Sequence, residues 1–265
     1  MIYLDTNEVL PNAIFCQLAS SQYISLPAIV FNPAVTTTYS VSGWFYCSNF
    51  NGAVLTLLSN RNPGTTYGGI ILFYNKSTNS FNVNITSLNN QGSLNVEFLY
   101  SAPSILINRW VHFVFTKSTA VTASGINFYV NGIQLNRTII FVNSLTTGAY
   151  IIPNNPVWIN ASDYGSPTNI NDCYFSNYSF FSRVLTSTEV LALYKFPKLI
   201  PSTLTSNLGV NYPFTNYNGT TLTETVSGFN GTLIGYTSVN TATSPNPQSG
   251  NTTWYNTVTM QPITI

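Results

Sequence analysis

What this sequence has least of is charge: Asp, Glu, Lys and Arg make up 6% of its 265 residues, against roughly 25% in ordinary soluble domains. Its surface must be solvated by the amides and hydroxyls of its abundant Asn, Ser and Thr. That composition fits extracellular, virion and sugar-coated proteins better than a cytosolic enzyme. A net charge of +1 supplies no field to steer a polyanion, which argues against nucleic acid as a partner. Long hydrophobic runs are missing too, and no stretch approaches the roughly 18 apolar residues of a membrane span. The opening Met1-Ile-Tyr-Leu-Asp-Thr-Asn-Glu8 has neither a basic n-region nor an apolar h-region, so it does not read as a secretory signal. The expectation is a signal already removed, or a virion component assembled inside a cell.

Cysteine is scarce and odd in number: Cys16, Cys47 and Cys173. Three widely spaced cysteines close no disulfide framework, and no Cys-x-x-Cys pair reads as a zinc site. Their expected role is that of small buried apolar side chains, as in a chain folded under reducing conditions. The acids are seven, Asp5, Glu8, Glu97, Asp163, Asp172, Glu189 and Glu224, and no two stand at i and i+2 or i+4. His112 is the only histidine.

What is present is strand after strand. Apolar-rich runs fall at 14–18, 22–26, 39–47, 54–59, 69–74, 80–87, 94–100, 110–117, 127–130, 134–141, 157–160 and 173–182. Turn chemistry separates them, such as Asn62-Pro-Gly64, Asn89-Asn-Gln-Gly92 and Ala123-Ser-Gly125. Short strands at such spacing predict a two-sheet sandwich rather than alternating β/α units. Asn131-Gly132 is a strong hairpin signal because both residues tolerate positive φ. Along 40–46, Val41, Gly43 and Phe45 share one face while Ser42, Trp44 and Tyr46 share the other. One helix is expected at 187–194, opened by a Thr186/Glu189 capping box and carrying Val190, Leu191, Leu193 and Tyr194 on an apolar face.

Two segments carry a family resemblance. Trp110-Val-His-Phe-Val-Phe-Thr116 leads to Ile126-Asn-Phe-Tyr-Val-Asn-Gly-Ile-Gln-Leu135. Later comes Tyr174-Phe-Ser-Asn-Tyr-Ser-Phe-Phe-Ser-Arg-Val-Leu-Thr-Ser-Thr-Glu-Val-Leu-Ala-Leu-Tyr194. Together they resemble the laminin-G-like, concanavalin A-like jelly-roll family in order and spacing. The resemblance implies an all-β fold, a two-sheet antiparallel jelly-roll sandwich with one short helix near 187–194. Beyond Pro197 the stretch Leu208-Gly-Val-Asn-Tyr-Pro-Phe214 to Gly231-Thr-Leu-Ile-Gly235 resembles the way such a domain usually begins. The chain divides on this reading into a jelly roll at 1–200 and an extension at 201–265 that supplies displaced strands. Three arrangements satisfy it: the tail fills its own sheet edge, fills the edge of a neighbouring copy, or opens a second, truncated domain.

Related jelly-roll glycosidases carry a strand-borne set of carboxylates, since hydrolysis needs two facing one glycosidic bond. The acidic inventory here has no such pair, so the expectation is a protein that is not an enzyme. His112 falls within a strand that the resemblance buries, which makes it structural rather than part of a Ser-His-Asp relay. Asp163 and Asp172 share one polar loop with Asn169 and Asn171. Related sandwiches bind calcium through such oxygens, so Asp163 and Asp172 are the metal-site candidates, set against an ordinary Asx turn at Asp163 and a solvated Asp172. A sugar site needs amides and hydroxyls beside an exposed aromatic. Tyr164, Trp158 and Asn169 are the residues proposed for it, among loop aromatics that also include Tyr67, Tyr150 and Trp254. Eight Asn-x-Ser/Thr sequons occur, but so many Asn, Ser and Thr produce about that number by chance.

The functional expectation is a non-catalytic surface or structural protein, a virion or extracellular assembly subunit with a lectin-like jelly roll that takes glycans. Its partners would be glycans and other copies of itself or other structural proteins. The alternative is a stand-alone carbohydrate- or protein-binding lectin-like module.

Overall fold

The structure, a computed structural model, describes residues 13–30, 37–47, 50–61, 68–87, 92–101, 106, 108–145, 155–162, 167–196, 200–214, 217–218 and 220–236. Its strands form two antiparallel sheets. The seven-stranded sheet runs β1 (Ile14–Cys16), β13 (Cys173–Phe181), β3 (Tyr39–Cys47), β8 (Trp110–Lys117), β9 (Ile126–Val130), β10 (Ile133–Gln134), and β14 (Leu208–Tyr212) also pairs with β13. The ten-stranded sheet runs β11 (Arg137–Leu145), β7 (Gly92–Leu99), β6 (Ser80–Thr86), β5 (Gly69–Asn75), β4 (Val54–Ser59), β12 (Val157–Ile159), β2 (Tyr23–Leu26), β17 (Gly231–Ile234), β16 (Thr221–Leu222), β15 (Tyr217–Asn218). This is the two-sheet sandwich that the strand spacing predicts, with α1 (Ser187–Lys195) its α-helix among the described residues.

Period-2 alternation builds the core. Val41 and Phe45 of β3, Val111, Phe113 and Phe115 of β8, and Phe175 and Tyr178 of β13 are buried in one cluster with Leu55, Leu72, Phe81, Val83, Val96 and Phe98 of the other sheet. Each such side chain removed from water contributes about 1.5–3 kcal/mol. Gly43 is required where it stands: a Cβ there would lie 2.8 Å from both the Phe113 and Tyr178 rings. Tyr178 spans the sandwich, its hydroxyl donating to the Leu57 carbonyl at 2.9 Å. That carbonyl belongs to an irregular point in β4, between Thr56 and Leu58 in the register.

The local signals hold. Asn131 and Gly132 turn β9 into β10 with φ of +50° and +79°. Thr186 Oγ1 accepts from the Glu189 amide at 3.3 Å and Glu189 Oε2 accepts from the Thr186 amide at 2.8 Å, closing the capping box. Glu189 also pairs with Arg183 at 2.8 Å, and that guanidinium, outweighing partial burial, holds the carboxyl down at about 2. One expected strand, 134–141, is instead two. The chain breaks at 135–136 because β10 lies in the first sheet and β11 in the second.

The expectation for the cysteines needs correction. Cys47 and Cys173 form a disulfide, and Cys16 alone is a free buried thiol. An odd count does not preclude one bond when two of the residues become register partners on neighbouring strands, as Cys47 and Cys173 do.

The segment after Ile200 is paired within the chain. β14 runs along β13 (Tyr178↔Tyr212, Phe180↔Val210), and β17 runs along β2 (Leu233↔Ile24). β3 occupies one flank of β13, so β1 and β14 follow one another along the opposite flank. Tyr212, Phe214 and Leu222 are fully buried. Phe214 adopts a left-handed φ of +58°, rare for an aromatic, and its ring lies stacked on Tyr178 at 5.8 Å. Glu224 gathers the backbone N–H groups of Asn211, Val226, Ser227 and Gly228. Burial works to raise its pKa, and those four amides overcome it and lower it.

Candidate functional site

The outer face of the seven-stranded sheet carries helix α1 and, beside it, a pit. Val114 and Tyr129 of the sheet receive Val190 and Leu193 of the helix in a small apolar cluster. Where the helix stops covering the sheet, the register sets Asn211, Ser179 and Ser42 in one row across β14, β13 and β3. The next row holds Ser176, Trp44 and His112. The register slips between Ser176 and Ser179, and Asn177 takes a φ of +49° there. Such a bulge re-aims a side chain, and Asn177 joins the rim. The resulting pit, about 40 Å³, is lined by Ser42, Trp44, His112, Asn177, Ser179 and Asn211, with Leu193, Phe196, Ile200 and Pro213 as apolar wall.

Its floor is tightly organised. His112 Nε2 and Ser42 Oγ are 2.9 Å apart, the direction of the bond set by the tautomer. Ser179 donates to Asn211 Oδ1 at 2.9 Å. Trp44 packs against His112 at 4.8 Å and stacks on Tyr194 of the helix at 5.8 Å. The His112 backbone is fixed from behind, its N–H donating to Asn131 Oδ1 at 2.9 Å. Burial alone drives the His112 pKa down to about 3, so the ring is neutral. Its Nδ1 is buried without a hydrogen-bond partner, an atom that costs free energy unless something meets it. A Ser-His-Asp relay needs an acid on that nitrogen, and none of the described acids stands there.

The described acids are all elsewhere. Glu189 closes the helix cap and Glu224 binds its four amides. Glu97 lies on β7, opposite Asn82 and Ile139. Asp172 braces a loop: its Oδ1 accepts from the Leu18 amide at 2.8 Å and its Oδ2 from the side-chain amide of Asn51.

Of the sequence-proposed site residues, Trp158, Asn169 and Asp172 fall among the described residues. Asp163 and Tyr164 lie outside the described residues, as do Tyr67, Tyr150 and Trp254. Trp158 is 6% exposed and packs on Tyr23 at 4.9 Å, so it presents no open stacking face. Asn169 is exposed, at a φ of +57°, with its amide donating to Ser162 Oγ at 3.0 Å. Around Asp172, Asn171 Oδ1 accepts from the Gly52 amide at 3.1 Å and its Nδ2 donates to the Val54 carbonyl at 2.8 Å. N–H donors thus already point at these oxygens, an arrangement suited to a loop brace rather than to the six to eight oxygens of a calcium shell. Among the described residues no three His, Cys, Asp or Glu group to hold a metal. The pit itself was missed. Ser42 and Trp44 could be read as sharing the face opposite Val41 and Phe45, but nothing local announces that Ser179 and Asn211 will meet.

Comparison with known proteins places this geometry. A sequence family described as the concanavalin A-like lectin/glucanases superfamily matches residues 18–191. No curated protein matches the sequence. Among solved structures, a candidate carbohydrate-binding protein from Bacteroides ovatus aligns with a TM-score of 0.58 at 16% identity, over 84% of this chain and 57% of its own. The binding domain of botulinum neurotoxin serotype G aligns with a TM-score of 0.47 at 17% identity, over 64% of this chain and 38% of its own. A Trypanosoma rangeli sialidase aligns at 0.43 and 16%, over 62% and 24%. At these identities the likeness is one of fold, and the chain spans less than two thirds of each of these proteins. With two thirds of its length matched by the family and its strands laid out as a two-sheet sandwich, the chain belongs to the concanavalin A-like lectin/glucanase superfamily.

Proposed function

We propose that this protein is a non-catalytic recognition module that takes an uncharged, hydroxyl- or amide-bearing group of a glycan into the pit beside α1. The observation that carries this reading is the lining: two serines, two asparagines, a neutral histidine and a tryptophan, with no ionised side chain among the described residues that form it. Sugars offer directional hydroxyls beside apolar C–H faces, and such a mixture of polar and apolar wall suits them. At roughly 10–15 Å³ per water, about 40 Å³ admits a single exocyclic group rather than a whole ring. The description of the Bacteroides ovatus protein of the same fold points in the same direction. The setting we propose is a virion surface or an extracellular assembly. The ion-poor composition and the Cys47–Cys173 disulfide support it.

The test is a panel of immobilised neutral and charged glycans probed with the protein and with a Ser179→Ala/Asn211→Ala double variant. We expect retention on neutral glycans, about thirtyfold weaker in the double variant, which gives up two hydrogen bonds at roughly 1 kcal/mol each. Retention only on charged glycans, equal retention by the variant, or release of reducing ends would contradict the proposal.

A second reading, self-association into an assembly, rests on β11. Ile139, Ile140, Phe141 and Val142 are 44, 46, 58 and 43% exposed in succession, and β7 is the strand's pairing partner among the described residues. A neutral apolar edge of this kind invites a second copy. Light scattering after size exclusion should show concentration-dependent oligomers that Phe141→Lys abolishes, and a concentration-independent monomer would exclude that reading.

A further inference from the structure

The three cysteines lie side by side across three neighbouring strands. Cys16 of β1 is the register partner of Cys173 on β13, and Cys173 is the register partner of Cys47 on β3. Register partners project to the same face, here the core, where all three are fully buried in one cluster. Cys173 is bonded to Cys47 across a Cα–Cα distance of 4.5 Å, and Cys16 is free. That spacing marks a non-hydrogen-bonded pair of an antiparallel ladder. A residue in such a ladder turns its N–H and C=O to one flank, so those of Cys173 face β1. The Cys16–Cys173 pair is therefore of the hydrogen-bonded kind, with Cα atoms about 5.5 Å apart. Both spacings lie in the range of about 4.4–6.8 Å that a disulfide spans. Cys16 and Cys47, two strands apart at roughly 4.8 Å per strand, are out of each other's reach.

We propose that Cys173 is a partner shared by Cys16 and Cys47, and that the three form a thiol–disulfide exchange site that moves the covalent tether of β13 from β3 to β1. In the exchange the Cys16 thiolate attacks Cys173 Sγ, the Cys16–Cys173 bond forms, and the Cys173–Cys47 bond breaks. Cys47 leaves as a thiolate and takes up the proton that Cys16 gave up, so nothing is oxidised or reduced overall. Because β13 lies between β1 and β3, attacker and leaving group stand on opposite flanks of Cys173.

The tether matters because of what β1 holds. β1 has three residues, and the last described residue of the tail closes over it. The Tyr236 hydroxyl donates to the Phe15 carbonyl at 2.7 Å and contacts Cys16 Sγ at 3.2 Å. After exchange β1, and with it the Tyr236 contact, is covalently fixed to the sheet, while β3 is held to β13 by hydrogen bonds and packing alone. The titratable groups facing Cys16 are Tyr236 and Tyr178, with the Asn160 amide also in contact. Burial pushes the Cys16 thiol up to about 12. Only the thiolate attacks, so the exchange is slow at neutral pH.

Disulfide mapping of the whole chain tests the proposal. The folded protein is incubated at pH 7 and at pH 9, quenched in acid, denatured, alkylated and digested. The label should begin on Cys16 and pass in part to Cys47, about a hundredfold faster at pH 9 than at pH 7 from the thiolate population. The Cys47→Ser variant, equilibrated with a glutathione redox buffer, should show no free thiol and a Cys16–Cys173 bond. Cys16→Ser should keep the original bond, and Cys173→Ser should show two free thiols. Label confined to Cys16 at every time in the unmutated chain, or two free thiols in Cys47→Ser, would overturn the proposal.

Discussion

The two faces of the seven-stranded sheet are built from the same strands on opposite rules. On β3, β13 and β14 the inner face carries Val41, Phe45, Phe175, Tyr178, Val210 and Tyr212, buried against the second sheet. The outer face of the same strands carries Ser42, Trp44, Ser179 and Asn211, which leave room for a pit. Large side chains on one face fix where the strands lie, and small polar ones on the other use that fixed position to present hydrogen-bonding groups. Stability and recognition should therefore separate by face, although adjacent residues of one strand serve each.

The largest effect should come from removing a strand that serves both. Ending the chain at Pro201 takes β14 from one sheet and β17 from the other, with Tyr212, Phe214, Leu222 and Leu233 of the core. We expect loss of a cooperative thermal transition and aggregation, followed by circular dichroism and size exclusion. A soluble monomer with an undiminished melting temperature would show that the faces do not depend on the tail.

Single substitutions sharpen the contrast. Phe214→Ala, on the buried side against Tyr178, should cost about 3–5 kcal/mol in urea unfolding. Asn211→Ala, three positions away, gives up its hydrogen bonds to Ser179 and Thr225 and should cost about 1 kcal/mol while weakening glycan retention. Equal costs would erase the distinction between the faces.

Acid should act through the outer face before the carboxylates respond. The folded His112 holds no proton until about pH 3, whereas the unfolded ring takes one up near 6.5. Below 6.5 the unfolded state therefore binds more protons, and stability falls as pH falls from 6.5 toward 3. Glu189 and Glu224, with lowered folded pKa values, add their own loss only below their ordinary value near 4.5. Urea midpoints should drop between pH 7 and 5 in the unmutated chain and stay nearly level in His112→Gln. A drop of the same size in both would remove His112 as its cause. The smallest effect is at the helix that roofs this face: Thr186→Ala should cost about 1 kcal/mol by opening the capping box.

How much of this could be read in advance follows the range of the interactions. The strands 39–47, 54–59, 110–117 and 157–159, the Asn131-Gly132 turn and the capped helix rest on local periodicity and turn chemistry, and they fall within a residue or so of where the sequence places them. The break at 135–136 was not legible, because apolar residues continue while the chain changes sheets. The disulfide was not, because its two cysteines are 126 positions apart and meet only through the register of β3 and β13. The pit was not, for the same reason: Ser179 and Asn211 are ordinary polar residues until β14 lies beside β13. Trp158 misled because abundant loop aromatics do not say which of them is covered, and this one is packed on Tyr23.

The central claim, an uncharged pit that binds without cleaving, is tested most directly by calorimetric titration of the best-retained neutral glycan into the protein at low and high salt. The account predicts an affinity that is insensitive to salt, because the described lining carries no charge to be screened, and that falls about thirtyfold in Ser179→Ala/Asn211→Ala while the glycan is recovered intact. Affinity that collapses with salt, or that the double variant leaves unchanged, would contradict it.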